Sequence, residues 1–293
     1  MEAKKAAEEL QGMYKRYKMS VFAMIGILIF AAVGIFWNRY VGLVILLLAV
    51  LYQLLYLRKL QKKYTKQCTV GNLACTLEKK LGAAPAEERG SAGINMEMVT
   101  KAELLPVDAG ADKVGFYWGL QGKQGSYPVQ LSDATFAESY QLTEKGKKRT
   151  FINCGCWMHF TLPEDSGMDL RIWDQDVIPM PMRKAFLEQH PALRLLSAEE
   201  APFLDEGMYV YAVEDNAVRP GDDFYRLLKK LRGYTPGKLA ISIRGASADI
   251  FIRNRFLSRA VSMSEPVNEK WLSLDPMPEL SYVQEMLRAI YNN

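Results

Sequence analysis

Two cysteines separated by one glycine, Cys154-Gly155-Cys156, come nearest to a chemical site by type and spacing. Residues two apart in a strand point to the same side, so two thiolates there can share a soft metal or take part in thiol chemistry. The same face carries Ile152, Met158, Phe160 and Leu162. A free cysteine is also a small, readily buried hydrophobe. Core packing is therefore the expected role of Cys154 and Cys156, with a metal or redox site as the competing one. Cys68 and Cys75 are seven apart, which puts them on one face of a helix. None of the four belongs to a Cys-x-x-Cys motif.

Other chemistry-bearing residues are sparse. His159 falls on the opposite face of the Cys154 strand, beside Asn153 and Trp157, with no neighbouring His or Cys to match it. His190, followed by Pro191, reads as a loop or helix-end residue. Asp174-Gln175-Asp176 offers two carboxylates but lacks the glycine and distal glutamate of a calcium loop, so turn capping is expected there. Asp222-Asp223 suits a helix N-terminus. Arg244, Arg253, Arg255 and Arg259 gather around a hairpin signal, and Lys229, Lys230 and Arg232 are expected on the exposed side of the helix before it. If they meet in space they form a basic surface for an anionic leaflet or an acidic partner; otherwise they are ordinary exposed charge. There is no Walker A loop, no GxGxxG, no HExxH and no GxSxG. The motifs lean away from an enzyme, and no cofactor is expected.

Two uncharged runs, 19–37 and 41–57, precede all of this, with Asn38-Arg39-Tyr40 between them. Helices of that length rise about 26–28 Å, close to a hydrocarbon core of roughly 30 Å. They read as a two-helix transmembrane hairpin. A signal peptide h-region would be shorter, and a buried hairpin of two such runs would be unusual. Lys4, Lys5, Lys15, Arg16 and Lys18 precede the first run. Arg58, Lys59, Lys62, Lys63 and Lys66 follow the second, against Arg39 alone between them. The positive-inside rule then puts both flanks, and both termini, in the cytoplasm.

The net charge of +4 hides a partition: residues 1–66 hold 11 basic and 3 acidic side chains, and the remainder 26 and 30. The basic excess lies at the spans, so charge gives no support for nucleic-acid binding. A cytoplasmic location would keep the cysteines reduced.

The spacing divides the chain into a charged helix over 1–18, the spans over 19–57, a juxtamembrane helix and linker over 58–93, and an α+β domain over 94–293. The juxtamembrane helix runs to Gly82, and 82–93 is a small, polar, Pro/Gly-punctuated linker. Alternation predicts strands at 113–120, 127–131, 150–162, 168–173 and 208–213. The turn residues Pro163–Gly167 suggest that the third and fourth of these form a hairpin. A helix starts at Gly221 or Asp222, buries Phe224, Leu227, Leu228 and Leu231, and stops at Gly233. Strands 238–244 and 248–254 flank Gly245, and a final helix covers Pro278 to Ile290. Hairpin-linked strands with segregated helices predict a mixed, mainly antiparallel sheet with flanking helices.

The paired spans, the stretch 113-KVGFYWGLQG-122, the strand in 147-KKRTFINCGCWMHF-160, the lead-in 200-EAPFLDEGMYVYAVEDN-216 and the hairpin over 238–254 together resemble the bacterial domain of unknown function 3137 family. The resemblance covers nearly the whole chain. Cys154 and Cys156 stand where that family often has a Phe-rich, Gly-containing strand. The family brings no agreed activity and no catalytic residues. It implies a bacterial inner-membrane protein and, because its members are often encoded near LemA-type membrane proteins, a shared membrane process with such a partner. The expectation is a binding or scaffold domain that touches membrane or partner through Arg58, Lys59, Lys62, Lys63, Lys229, Lys230, Arg244, Arg253 and Arg255. A membrane-tethered enzyme or ligand sensor with an unfamiliar pocket is the alternative.

Overall fold

The computed structural model describes residues 2–82, 93–106, 114–141, 148–213, 218–235, 238–253, 267–268, 272, 275 and 277–291. The linker expected at 82–93 therefore lies mostly outside the described residues, as do Arg255 and Arg259. The chain forms two compact units, one of Met1–Thr76 with Arg259–Leu274 and one of Leu77–Ser258 with Asp275–Asn293.

The first unit is helical. α1 runs unbroken over Glu2–Trp37, joining the charged N-terminal stretch to the first apolar run. Its 36 residues span about 54 Å. Asn38 breaks the helix with an extended backbone, and its side chain accepts the Tyr40 N–H to start α2, Arg39–Tyr52. The two helices approach closely where Gly34 faces Gly42. A Cβ on Gly42 would lie 2.7 Å from the Ile35 Cα and against the Ile35 nitrogen and side chain, so only glycine fits. Gln53–Leu57 forms one π-helical turn, closed by the Arg58 N–H on the Gln53 carbonyl, before α3 covers Arg58–Lys80. Gly82, at φ +59°, ends this rod where the sequence places a stop. Both α1 and the helical stretch Arg39–Cys68 are long and apolar enough to cross a membrane. Their apolar side chains, Phe22, Phe30, Phe36, Leu47 and Leu55 among them, point outward. Beyond the apolar runs, Ala7, Leu10 and Tyr14 of α1 bury themselves against Tyr64 and Cys68 of α3, together with Val267 and Leu272.

The second unit is α+β, built on an eight-stranded sheet whose neighbours all pair antiparallel. The strands are β1 Val114–Gln124, β2 Tyr127–Gln141, β3 Lys148–Thr161, β4 Asp169–Asp174, β5 Leu193–Leu195, β6 Met208–Val213, β7 Leu239–Arg244 and β8 Ser247–Ile252, in spatial order β1-β2-β3-β8-β7-β4-β6-β5. This order corrects one expectation: β3 and β4 are not a hairpin. The β7–β8 hairpin stands between them. The segment after β3 wraps its tip instead, with Leu162 N–H on the Ala246 carbonyl and Ser166 N–H and Oγ on the Gly245 carbonyl.

The helices are α4 Met96–Ala102, α5 Met180–Gln189, α6 Asp222–Tyr234 and, last, α7 Glu279–Ala289. One sheet face carries Phe136, Trp157, Phe251, Trp173 and Tyr211, and α4 and α5 cover it with Val99, Met182 and Phe186. The other carries Leu131, Met158, Phe160, Ile172, Ile241 and Ile250, all buried. α6 lies on this second face, since its Arg232 reaches Asp174 there. Phe224, Leu228 and Leu231 of α6 are fully buried, as the amphipathic spacing requires, with Tyr225 added and Leu227 only half-buried.

α4 is short, and its exit is held by the sheet. Asn95 caps its start by accepting the Met98 N–H. The carbonyls of Lys101, Ala102, Glu103 and Leu104 then accept, in order, from Arg244 (2.8 Å), Ser242 (2.7 Å), Arg171 (3.0 Å) and Trp173 (2.8 Å). Two carbonyls at the helix end and the two that follow it are thus taken up by side chains of two neighbouring strands. Glu103 turns the chain there in a left-handed conformation, φ +45°.

Candidate functional site

The cysteine pair sits where its alternation places it, on the α6 side of β3. Cys156 is fully buried and Cys154 half-buried. Burial first, then the neighbouring Asp133 and Glu279, pushes the Cys156 thiol well up, so the neutral S–H is the form the site keeps. Cys154 accepts a contact from the Thr135 hydroxyl at 3.5 Å. The glycine between them is set by packing. A Cβ on Gly155 would stand 2.6 Å from the Phe251 ring and against the Ile252 carbonyl. Cys68 is also buried, and burial pushes its thiol up to about 11 against a smaller opposing effect of the Tyr64 hydrogen bond. Nothing is described of the Cys75 side chain. Among the described residues no three His, Cys, Asp or Glu side chains are grouped to hold a metal. Maleimide labelling of the native protein at pH 8, read residue by residue by mass spectrometry, is expected to modify Cys154 well ahead of Cys156 and Cys68. Labelling of Cys156 as fast as Cys154 would contradict the buried, protonated thiol.

Asp174 is not the turn cap its sequence context suggested. It is buried, and its carboxylate accepts from Arg232 Nε at 2.6 Å and from the Leu239 N–H at 3.0 Å, tying α6 and β7 to β4. Burial raises its pKa, and these two partners act against that. Asp176 is exposed in the turn that follows.

Among the described residues, the expected basic side chains of the sheet unit, Lys229, Lys230, Arg244 and Arg253, do not come together. Lys229 and Lys230 are exposed on α6, where Lys229 pairs with Asp205 at 2.9 Å. Arg232, expected on that exposed side, is largely buried against Asp174. Arg244 lies across the sheet, bound to Glu103 at 3.1 Å and Asp169 at 3.5 Å. Arg253 stacks over the Phe151 ring and donates to the Asp176 carbonyl. Arg244 and Arg253 are therefore committed to internal contacts. Arg58, Lys59, Lys62 and Lys63 are exposed on α3 in the helical unit.

The arrangement closest to chemistry is one the sequence did not reveal. His159 is not isolated: its Nδ1 lies 3.0 Å from the buried Asp249 carboxylate, which also accepts the Trp157 indole N–H at 2.8 Å. The pairing register explains the meeting, because His159 stands opposite Asp249 across β3 and β8. A carboxylate on Nδ1–H leaves the neutral ring's lone pair on Nε2, at a side chain 21% exposed. That is an oriented proton acceptor. Ser247, one step further along the sheet, donates its hydroxyl to the Arg244 carbonyl and not to this ring. The signal that could have found Asp249 is a single acid in the otherwise apolar strand Ala248–Ile252. A second feature lies beside α5, where Leu105, Phe136, Phe151, Ile178 and Met182 line an apolar cleft. Asn153 on its wall donates to the Val177 carbonyl at 2.8 Å, while its own buried carbonyl oxygen has no partner among the described residues.

No family profile, no curated protein and no solved structure matches this chain.

Proposed function

We propose that this protein is an inner-membrane protein, anchored by a transmembrane hairpin of α1 and α2, whose α+β unit works in the cytoplasm as a binding or scaffold domain. The observation that supports it is the pair of long helices with outward-facing apolar side chains and cations concentrated at their far ends. Large exposed apolar surfaces mark contact with lipid or a partner. The partner is a protein of the same membrane, and the likeness to the domain of unknown function 3137 family makes a LemA-type protein the first candidate. Two measurements test the reading. A reporter fused after Asn293 should fluoresce, and alkaline phosphatase at the same point should be inactive; the reverse pattern would overturn the orientation. A tagged full chain purified from native membranes in mild detergent should retain one specific membrane protein, and recovery of the chain alone would count against the scaffold.

A further inference from the structure

Neither α1 nor α3 carries a carboxylate anywhere from Leu10 to Leu77, whereas cations cluster where the two helices meet. Tyr14 and Tyr64 mark that meeting, with ring centroids 6.0 Å apart and both side chains buried. Lys15, Arg16 and Lys18 follow Tyr14, and Lys59, Lys62 and Lys63 precede Tyr64. Each lies within five residues of its tyrosine, hence within about 8 Å of it along the helix axis. All six are exposed. Lys18 sits 5.5 Å from the Tyr14 ring centroid, an aromatic contact that holds its ammonium at the crossing. Two segments distant in sequence are thus folded into one collar of six cations at the inner end of the apolar runs, and the nearest acids on the two helices, Glu9 and Glu78, lie outside the stretch that carries it.

We infer that this collar is a binding site for anionic phospholipid headgroups of the cytoplasmic leaflet. The inference rests on the membrane reading above and adds a lipid class to it. Two properties argue for headgroups. The collar continues directly from the apolar helices, so an acyl chain lying along them delivers its phosphate to this level. Its charge also comes from exposed lysine and arginine that form no ion pair among the described residues, which a phosphodiester complements. A bilayer-surface cation contributes about fivefold to binding of an anionic surface, so three of them amount to roughly a hundredfold.

The test uses the full chain, delipidated in a neutral detergent and titrated with short-chain phosphatidylglycerol or phosphatidylcholine under native mass spectrometry. Wild type should bind phosphatidylglycerol at least about tenfold more tightly than phosphatidylcholine. The triple variant Lys59→Gln, Lys62→Gln, Lys63→Gln should lose that preference, and so should wild type in high salt. It keeps Lys15, Arg16 and Lys18, so orientation is preserved. Inorganic phosphate added in excess should not displace the lipid; displacement would mean a soluble anion site. Equal affinity for the two lipids, or an unaltered preference in the triple variant, would overturn the collar. Alkaline carbonate washing of native membranes separates this from the parent reading. Release of the chain into the wash defeats the membrane anchor itself, while a chain that stays in the pellet without lipid preference defeats only the collar.

Discussion

Replacing Arg171 with methionine is expected to destabilise the sheet unit by about 3–5 kcal/mol. Arg171 is 1% exposed, and its guanidinium donates to four groups. Nε donates to the Glu103 carbonyl (3.0 Å), Nη1 to Asp169 (2.6 Å) and the Leu170 carbonyl (2.9 Å), and Nη2 to the Glu103 carboxylate (3.1 Å). Burial works against its charge, and Asp169 and Glu103 counter that. Methionine fills much of the volume but leaves the Glu103 and Asp169 carboxylates with Arg244, and for Glu103 the His190 ring at 3.6 Å, as their remaining partners among the described residues. The α4 exit also loses the donor to Glu103, whose left-handed backbone then has less to hold it. Urea and thermal unfolding of the full chain, followed by tryptophan fluorescence, should give a midpoint lower by on the order of 10 °C. Arg171→Lys should recover little, because a point charge cannot serve three directions in one plane. A loss below about 1 kcal/mol would mean the cluster behaves as a solvated surface pair.

A larger departure from ordinary expectation concerns Gly155. Glycine inside a strand is unfavourable, and adding a side chain there usually stabilises. At this position the sign should reverse. Phe251 is fully buried, 5.9 Å from Phe136 and 6.2 Å from Trp157 between ring centroids, so the ring that a Cβ would strike has no space to move into. Gly155→Ala should cost about 1–3 kcal/mol, and Gly155→Val more, by forcing β8 away from β3. Cys156→Ala, which only shortens a buried side chain, should cost less than Gly155→Val. That ordering in denaturant midpoints would identify the Cys-Gly-Cys sequence as a packing device. A harmless Gly155→Val, or a Cys156→Ala loss that exceeds it, would reopen a chemical role for the thiols.

Much of the architecture could be read from the residues because it depends on local periodicity. The alternation of β3, the glycine at the β7–β8 turn, the stripe of α6 and the final helix all carry their pattern within a few residues. β1 and β2 ran further than expected, to Gln124 and Gln141, because long paired ribbons tolerate Gly, Lys and Gln that break an apolar pattern. α4 and α5 were missed. Each is at most ten residues, and α4 owes its stability to side chains from β4 and β7 rather than to its own propensity. The β3–β4 hairpin was wrongly expected because Pro163–Gly167 has turn composition. Composition says that the chain reverses but not which strand lies beside it. The site was the least legible part. His159 could be assigned to the correct face, yet its partner comes from a strand 90 residues later, and only the sheet register joins them. Asp174 looked like a turn residue, and its burial depends on an arginine of α6.

The central place of β7 and β8 in the sheet has a consequence for how the protein is made. Strands β1–β3 and β4–β6 leave the ribosome first, and each group presents an open hydrogen-bonding edge where the hairpin will later insert. At roughly 5–20 residues per second, the β3 edge waits several seconds for Ile252 to emerge. Unpaired edges flanked by Trp157 and Trp173 are templates for pairing with another nascent chain. Messages cut before the β7 codons would therefore yield two half-sheets prone to aggregation instead of a smaller working domain, and translation rate between β6 and β8 becomes a determinant of yield.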